Sequence, residues 1–286
     1  MRVISLLTTT AISFPDIRAC IFDMDGLLIN SEDIITLSIN KLLEKHGRPT
    51  LSRSIRAELM GVPDSTNGDV FHNWAKLPIS REQFAREATE QMQLHFPSCK
   101  PLPGAEKLLL NLSQARCASS GDRIELALAS SSKTHSYELK TSSPETKRLL
   151  NFFQSDRRVL GDDPRVRQGR GKPAPDIYLI ALQSLNATPN SDKKAILPNE
   201  CLVFEDSVAG VEAGRQAGMR VVWIPHPDVA VEYQTRQKDL LTERTEAIEL
   251  PDNCQQEEID DNCQWTEIIA SLNHFNCKKY GIQMSF

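Results

Sequence analysis

The chain has 286 residues, of which 40% are hydrophobic and 25% charged, so it can bury a substantial core in one large domain or two smaller ones. Its net charge of −5 provides no general basic surface, and this argues against a nucleic-acid partner. No apolar stretch in the sequence approaches the roughly 18 residues that a membrane-spanning helix requires, so we expect no membrane partner.

The start of the chain and its cysteines bear on location. Residues 3–14 are uncharged, but hydroxyl side chains interrupt them and no clear cleavage site follows, so we interpret them as an unstructured leader. The seven cysteines are an odd number without metal-type spacing, which favours a reducing, intracellular compartment. We therefore expect a cytoplasmic location, with the nucleus as an alternative. The six histidines are scattered, so a zinc site is not expected.

The first predicted strand is the apolar run 19–22, and an acidic pair follows it directly. Residues two apart in an extended chain point the same way, so Asp23 and Asp25 can address one point in space. Two carboxylates there repel each other unless a cation or a shared proton relieves them. Gly26 permits a sharp turn just beyond the pair. The arrangement indicates Mg²⁺ chemistry on an anionic substrate.

A helical segment separates this strand from the next one. The apolar spacing predicts a helix over 30–47, and Ser80 followed by Gln83 is a capping-box pattern at the start of another. A helical module inserted just after the acidic pair is well placed to act as a lid. The predicted division of the chain is a core domain over 1–30, an all-helical domain over 31–97 and the rest of the core over 98–286.

Three later apolar runs also predict strands, over 124–129, 201–204 and 221–224. Three serines follow the first of these runs, and an acidic pair follows the second. Near-continuous apolar strands separated by helices indicate a parallel sheet covered on both faces, and the polar strand ends then meet at one edge. Beyond them, we expect a flexible polar insertion over 251–261 and an amphipathic helix over 265–275 that packs on the core.

Four groups of residues occur in the order Asp23-Met24-Asp25-Gly26, Ser130, Lys172 and Glu205-Asp206, and all but Lys172 directly follow a predicted strand. Together they resemble the four motifs of the haloacid dehalogenase superfamily of phosphohydrolases. Alone, a serine cluster is more often a helix cap and a lysine more often a solvated group. The resemblance implies an α/β fold, with a Rossmann-like parallel-sheet core and an inserted all-helical cap domain. It covers about 17–224 and is close to the pseudouridine 5′-phosphatase branch over 103–108, 127–132, 159–166, 171–178 and 201–207.

The resemblance also implies roles for individual side chains. Asp23 would be the nucleophile that forms an aspartyl-phosphate. Asp25 would protonate the leaving alcohol and then deprotonate water, which requires a carboxyl group that keeps a proton near neutral pH. Lys172, held by the rigid segment that begins at Pro173, would neutralise charge between nucleophile and phosphate. Ser130, and after it Ser131, would bind a phosphoryl oxygen.

The implied cofactor is Mg²⁺, which prefers a few oxygen ligands together with waters and a substrate phosphate. By resemblance the ligands are Asp23, the backbone carbonyl of Asp25, and Asp206, with Glu205 as a further ligand or as support behind the others. One Mg²⁺ can join these groups only if Asp206 lies within about 10 Å of Asp23.

The leading hypothesis is a Mg²⁺-dependent phosphomonoesterase that acts, as a monomer, on a small phosphorylated sugar or nucleoside such as pseudouridine 5′-phosphate. A sugar phosphomutase of the β-phosphoglucomutase type shares the same motifs and is one alternative. A receiver-like phosphate-binding protein without turnover is another. Many relatives carry Asp-Ser-Glu or Asp-Thr-Glu where this chain has Asn30-Ser31-Glu32, and we expect this hinge difference to alter cap closure or specificity.

Overall fold

The computed structural model describes residues 14–61, 64–187, 194–233 and 265–284. The predicted leader, apart from its last residue, and the predicted polar insertion at 251–261 lie outside these ranges. No helix among the described residues combines the length and the apolar composition needed to cross a bilayer.

A six-stranded, entirely parallel sheet forms the centre of the described fold, in the order β4-β3-β1-β5-β6-β7. A separate antiparallel pair, β2 with β8, lies beside it. This sheet confirms the predicted α/β class with a Rossmann-like core. The strands are β1 (Ala19–Phe22), β2 (Arg116–Cys117), β3 (Glu125–Ala129), β4 (Arg158–Val159), β5 (Cys201–Glu205), β6 (Arg220–Trp223), β7 (Thr266–Ile268) and β8 (Ile282–Gln283).

Helices cover both faces of the sheet, because consecutive side chains of a buried strand point to opposite sides and both sides are apolar. In β1, Cys20 and Phe22 belong to one hydrophobic cluster, whereas Ala19 and Ile21 belong to the other. The helices of the core are α5 (Ala105–Gln114), α6 (Thr134–Lys140), α7 (Pro144–Leu150), α8 (Asp176–Asn186), α9 (Val208–Gln216) and α10 (Pro227–Tyr233).

Four helices lie between β1 and α5 in the chain and pack around a small hydrophobic cluster of their own, which includes Leu43, Phe71 and Phe84. The Ser80 hydroxyl accepts a hydrogen bond from the Gln83 amide at 3.1 Å, as the capping pattern predicts. These helices are α1 (Ser31–Lys45), α2 (Arg53–Gly61), α3 (Asp64–Ala75) and α4 (Arg81–His95), and we call them the cap.

The end of the described chain differs from the sequence-based expectation. Residues 265–275 do not form the predicted helix; instead, β7 adds to the sheet beside β6, and a short 3₁₀ turn follows at Leu272–His274. The free edge of β6 offers backbone hydrogen-bonding groups, and Val221 donates to the Trp265 carbonyl at 2.8 Å. Pairing with a buried strand outweighs the local helical pattern here.

Candidate active site

The register of the sheet brings the predicted motifs to one edge. Phe22 of β1 lies opposite Leu128 of β3 and Phe204 of β5, so the next residue of each strand reaches the same rim. The Phe22 and Phe204 rings stack with centroids 4.4 Å apart, directly before the motif residues. Carboxylate oxygens of Asp23, Glu205 and Asp206 lie within 4.8 Å of one another, well inside the separation that a shared cation requires.

Gly26 allows the chain to turn against this cluster. Its φ of +72° belongs to the left-handed region, which side chains disfavour. A Cβ atom at Gly26 would stand 2.1 Å from Oδ2 of Asp206, so no side chain fits there without moving the carboxylate. The glycine therefore serves both the turn and the close approach of backbone to Asp206.

Lys172 reaches the cluster from the loop before α8. Its Nζ donates to Oδ1 of Asp23 and to Oε1 of Glu205, both at 2.5 Å, and to the Ala129 carbonyl at 3.2 Å. Burial alone would lower the pKa of Lys172, but the two carboxylates outweigh it and the net shift is upward. The ammonium group therefore stays charged between the Asp23 and Glu205 carboxylates.

Glu205 lies behind the site and not at its opening. Its side chain is fully buried, and Oε1 accepts from the Tyr178 hydroxyl at 2.5 Å as well as from Lys172. Oε2 accepts from the backbone amides of Asp206 and Ser207 and from the Ser207 hydroxyl. Although Glu205 is close enough to its acidic neighbours to share a cation, both of its oxygens already have donors. The arrangement favours the supporting role over that of a metal ligand.

The charges of the cluster do not balance. Burial raises the pKa of Asp206, and the nearby carboxylates of Glu205 and Asp23 raise it further. Burial also raises the pKa of Asp23, against the opposing effect of Lys172. Three buried carboxylates thus share one ammonium group, and a divalent cation would relieve the excess negative charge. The oxygen donors present therefore fit Mg²⁺.

Asp25 differs from expectation because a lysine outside the motifs contacts it. The Nζ of Lys140 donates to Oδ1 of Asp25 at 2.6 Å, while Oδ2 accepts from the Ser132 hydroxyl at 2.7 Å and the Ser130 hydroxyl at 3.2 Å. Burial would raise the pKa of Asp25, but Lys140 and these hydrogen bonds produce a net lowering. The expectation that this carboxyl keeps a proton near neutral pH is wrong for the arrangement seen here.

The two serines predicted to bind phosphate occupy different positions. Ser130 is fully buried, and its hydroxyl donates to Asp25 and accepts from the Ser132 amide at 3.1 Å. Ser131 is exposed and lines the cavity beside Asp23. The structure thus brings Ser131 to the cavity, whereas Ser130 supports the acidic pair.

A cavity of about 420 Å³ opens between this rim and the cap. On the core side, Asp23, Asp25, Lys172 and Asp206 line it. Burial raises the pKa of Glu32, another lining residue, to about 7. The cap and the segment between α1 and α2 contribute a mainly apolar wall, whose described members include Ile35, Ile39, Leu51, Leu59, Met60, Phe71, Phe84 and Met92, together with Thr36, Arg56 and His72.

Sequence reasoning missed Lys140 and Tyr178, both of which contact acidic residues of the motifs. Tyr178 lies within a stretch that resembles the family, but an aromatic residue at a helical position is typical of core packing. Lys140 lies at the end of the short helix α6, where a basic residue is typical of a helix C-terminus. Neither position carried a signal that distinguished it from ordinary structure.

Comparison with known proteins agrees with this geometry. A family model described as haloacid dehalogenase-like hydrolase matches residues 20–224. A Saccharomyces cerevisiae protein named "probable pseudouridine-5'-phosphatase" is 38% identical over 212 residues, which are 74% of this chain and 84% of that protein. The mitochondrial (DL)-glycerol-3-phosphatase 1 of Arabidopsis thaliana is 32% identical over 222 residues, or 77% of this chain and 67% of that protein. A solved HAD family hydrolase from Deinococcus radiodurans R1, with bound phosphate and sodium, is 25% identical with a TM-score of 0.56, covering 81% of this chain and 96% of the other.

Proposed function

Because the chain belongs to the haloacid dehalogenase-like hydrolases, we propose that this phosphatase is Mg²⁺-dependent and works through an aspartyl-phosphate on Asp23. The observation that carries the proposal is the buried group of Asp23, Lys172 and Asp206 at the floor of one cavity. Asp23, Asp206 and the Asp25 carbonyl would hold the cation. When bound, Mg²⁺ supplies positive charge that stabilises the phosphoryl oxygens in the transition state.

The side chains of the site divide the chemistry between them. A carboxylate oxygen of Asp23 attacks phosphorus, and the bond from phosphorus to the ester oxygen breaks as that oxygen takes a proton from Asp25. Because Lys140 and the serine hydroxyls favour the ionised form of Asp25, this carboxyl group must first take up a proton from solvent as the anionic substrate enters and raises its pKa. Water then attacks the phosphorus of the aspartyl-phosphate and gives a proton to Asp25, which releases inorganic phosphate and restores Asp23. Lys172 holds the Asp23 oxygen and offsets the negative charge that the phosphate brings.

We further propose that the substrate is a nucleoside-like phosphomonoester, with pseudouridine 5′-phosphate as the first candidate. The cavity volume of about 420 Å³ falls within the range of about 300–1,000 Å³ that small-molecule sites occupy. Its cap wall is mostly apolar and includes Phe71 and Phe84, which suits a planar group better than a polyhydroxylated chain. The name of the yeast relative supports pseudouridine 5′-phosphate as the first candidate.

Phosphate release from a panel of phosphomonoesters tests the proposal. The panel contains pseudouridine 5′-phosphate, 2-deoxyglucose 6-phosphate, glycerol 3-phosphate and p-nitrophenyl phosphate, each measured with Mg²⁺ and with EDTA. We expect Mg²⁺-dependent release, and we expect Asp23→Asn to abolish it. Asp156→Asn, at an exposed position of a 3₁₀ turn, is the matched control and should keep wild-type activity. Turnover by Asp23→Asn at the wild-type rate would end the proposal, and isomerised sugar phosphate without free phosphate would indicate a mutase.

We also propose a monomeric enzyme of the reducing cytoplasm. All five cysteines among the described residues are free, which supports a reducing compartment. These five are Cys20, Cys99, Cys117, Cys201 and Cys277. Light scattering on the purified protein gives the mass in solution, and a dimer mass would contradict the monomer.

A further inference from the structure

Lys140 is a buried cation that the four motifs do not include. It ends α6 with only 5% of its surface exposed, and its Nζ lies 4.7 Å from the centroid of the Phe96 ring. A lysine so deeply buried must have an anionic or polar partner, because removal of an ammonium group from water is costly. Its hydrogen-bond partners are Oδ1 of Asp25, at 2.6 Å, and the Ser132 hydroxyl, at 2.8 Å.

These contacts close a small network around the Asp25 carboxylate. Lys140 donates to Ser132, and Ser132 in turn donates to Oδ2 of Asp25, while Lys140 also donates directly to Oδ1. Both carboxylate oxygens are therefore tied to donors on the segment that runs from β3 into α6. Rotation of the carboxyl group would break charge-assisted hydrogen bonds, which are the strong ones.

A purely structural role explains this pair poorly. Buried ion pairs contribute little net stability, and well-packed apolar residues of similar volume often replace them without loss. Here the buried ammonium contacts the one carboxyl group that the proposed reaction uses for both proton transfers. The unfavourable free energy of burying the Lys140 ammonium group is therefore incurred beside the carboxyl group that would transfer protons.

We propose that Lys140 is a positioning residue, which holds the Asp25 carboxyl group in the orientation from which it exchanges protons with the ester oxygen and with water. This inference rests on the proposed phosphatase function. The lysine itself exchanges no proton. Asp25 takes up a proton from solvent when the substrate binds and gives it to the leaving oxygen as the bond from Asp23 to phosphorus forms. It then receives a proton from the attacking water as that bond breaks, and returns it to solvent when phosphate leaves.

The experiment compares two substrates whose leaving groups differ in their need for a proton. An alkyl phosphate requires protonation of its leaving oxygen, whereas p-nitrophenolate leaves without it. The value of kcat/KM reports the first irreversible step, which is transfer of the phosphoryl group to Asp23. In Lys140→Met, we expect kcat/KM for the best alkyl substrate of the panel to fall by about 100-fold, the usual cost of a misplaced group. For p-nitrophenyl phosphate it should fall by less than about 10-fold.

Controls keep the result interpretable. Lys147→Met, on the exposed side of α7, should leave both values of kcat/KM unchanged. If Lys140→Met does not fold, Ser132→Ala removes the bridging hydroxyl and should show the same selectivity to a smaller extent. Equal losses on the two substrates, or none, with an active wild type and an inactive Asp23→Asn would overturn the positioning role but leave the proposed function intact. A wild type inactive on the whole panel would overturn both.

Discussion

Glu205 and Asp206 are neighbours in the sequence but face different surroundings. The Glu205 carboxylate is enclosed by Lys172, Tyr178 and the start of α9, whereas the Asp206 carboxylate faces the cavity beside Asp23. One of the two acids therefore has its charge compensated within the protein, and the other does not. Substitutions that remove these charges should have opposite effects on the metal-free protein.

We expect Glu205→Gln to destabilise the protein by about 3–5 kcal/mol, because it breaks a buried ion pair. Asp206→Asn should instead stabilise the metal-free protein by at least about 1 kcal/mol, since it removes an uncompensated buried charge, while it weakens Mg²⁺ binding. Urea unfolding in EDTA measures both changes, and a Mg²⁺ titration of activity measures the second. Equal destabilisation by the two substitutions would contradict this division of roles.

Gly26 and Gly47 provide a second comparison between single residues. Both have positive φ, at +72° and +64°, but no atom outside the local backbone lies within 4 Å of a Cβ built at Gly47. Each alanine substitution should cost about 1–2 kcal/mol from the left-handed backbone alone. Gly26→Ala should also displace Asp206 and lower kcat/KM by about 100-fold, whereas Gly47→Ala should not. Activity retained in Gly26→Ala would show that Asp206 tolerates displacement.

The sequence indicated the residues of the four motifs, but not the side chains on neighbouring helices that contact them. Asp23, Asp25 and Asp206 follow apolar strands, and parallel strands bring such ends together, so their convergence follows from topology. Lys140 and Tyr178 are placed by the packing of α6 and α8 on the sheet. Their contacts depend on how helices lie in three dimensions, which local periodicity does not specify.

Between elements, an ion pair joins α2 of the cap to α10 of the core. Arg56 of α2 donates to Asp228 of α10 at 2.9 Å and to Asp33 of α1 at 2.6 Å, and it lines the cavity. Its side chain is 14% exposed and that of Asp228 is 20% exposed, so solvent screens this pair only in part. The bridge thus connects the cavity-lining side of the cap to the core beside the site.

Asp228→Asn should weaken this bridge and raise KM several-fold, with a smaller effect on kcat, because the cap closes less completely over bound substrate. Asp69→Asn is the matched control, since it breaks the Arg81–Asp69 pair, whose partners are 57% and 67% exposed within the cap. Such exposed pairs contribute only about 0–1 kcal/mol. Steady-state kinetics on the preferred ester measure both variants, and an unchanged KM in Asp228→Asn would argue against a role in closure.

The α2–α10 bridge and strand β7 were not predicted, for related reasons. The sequence at 265–275 has a helical apolar pattern, yet the open edge of β6 recruits part of it as a strand. Likewise, Arg56 and Asp228 are far apart in the sequence, and isolated charged residues predict no partner. Both features depend on long-range contacts that form only once the sheet exists.

For the whole molecule, the excess of buried acid makes stability depend on pH. Burial raises the pKa of Glu32 from its ordinary 4.5 to about 7, and it raises those of Asp23 and Asp206 in the same direction. A carboxyl whose pKa is higher in the folded state stabilises the fold fully below its unfolded pKa, and that contribution is lost as pH rises through the folded value. The lowered pKa values of Asp25 and Glu205 act only at more acidic pH.

The free energy of unfolding of the metal-free protein should therefore fall by at least about 1 kcal/mol between about pH 5 and pH 8. Millimolar Mg²⁺ should reverse the loss near pH 8, where the carboxylates are ionised and free to bind it. Urea unfolding at several pH values, with EDTA and with Mg²⁺, tests both statements. A metal-free stability that rises over this window would contradict the assigned charge balance.

The central position of β1 has a consequence for biosynthesis. Its neighbours in the sheet, β3 and β5, come from residues 125–129 and 201–205, so the strand that precedes Asp23 leaves the ribosome long before its partners. Contacts between distant parts of a chain slow folding, and an apolar strand without neighbours is prone to aggregate. Nascent chains that stop short of β5 should therefore depend on chaperones, and catalytic competence should arise abruptly once that strand has emerged.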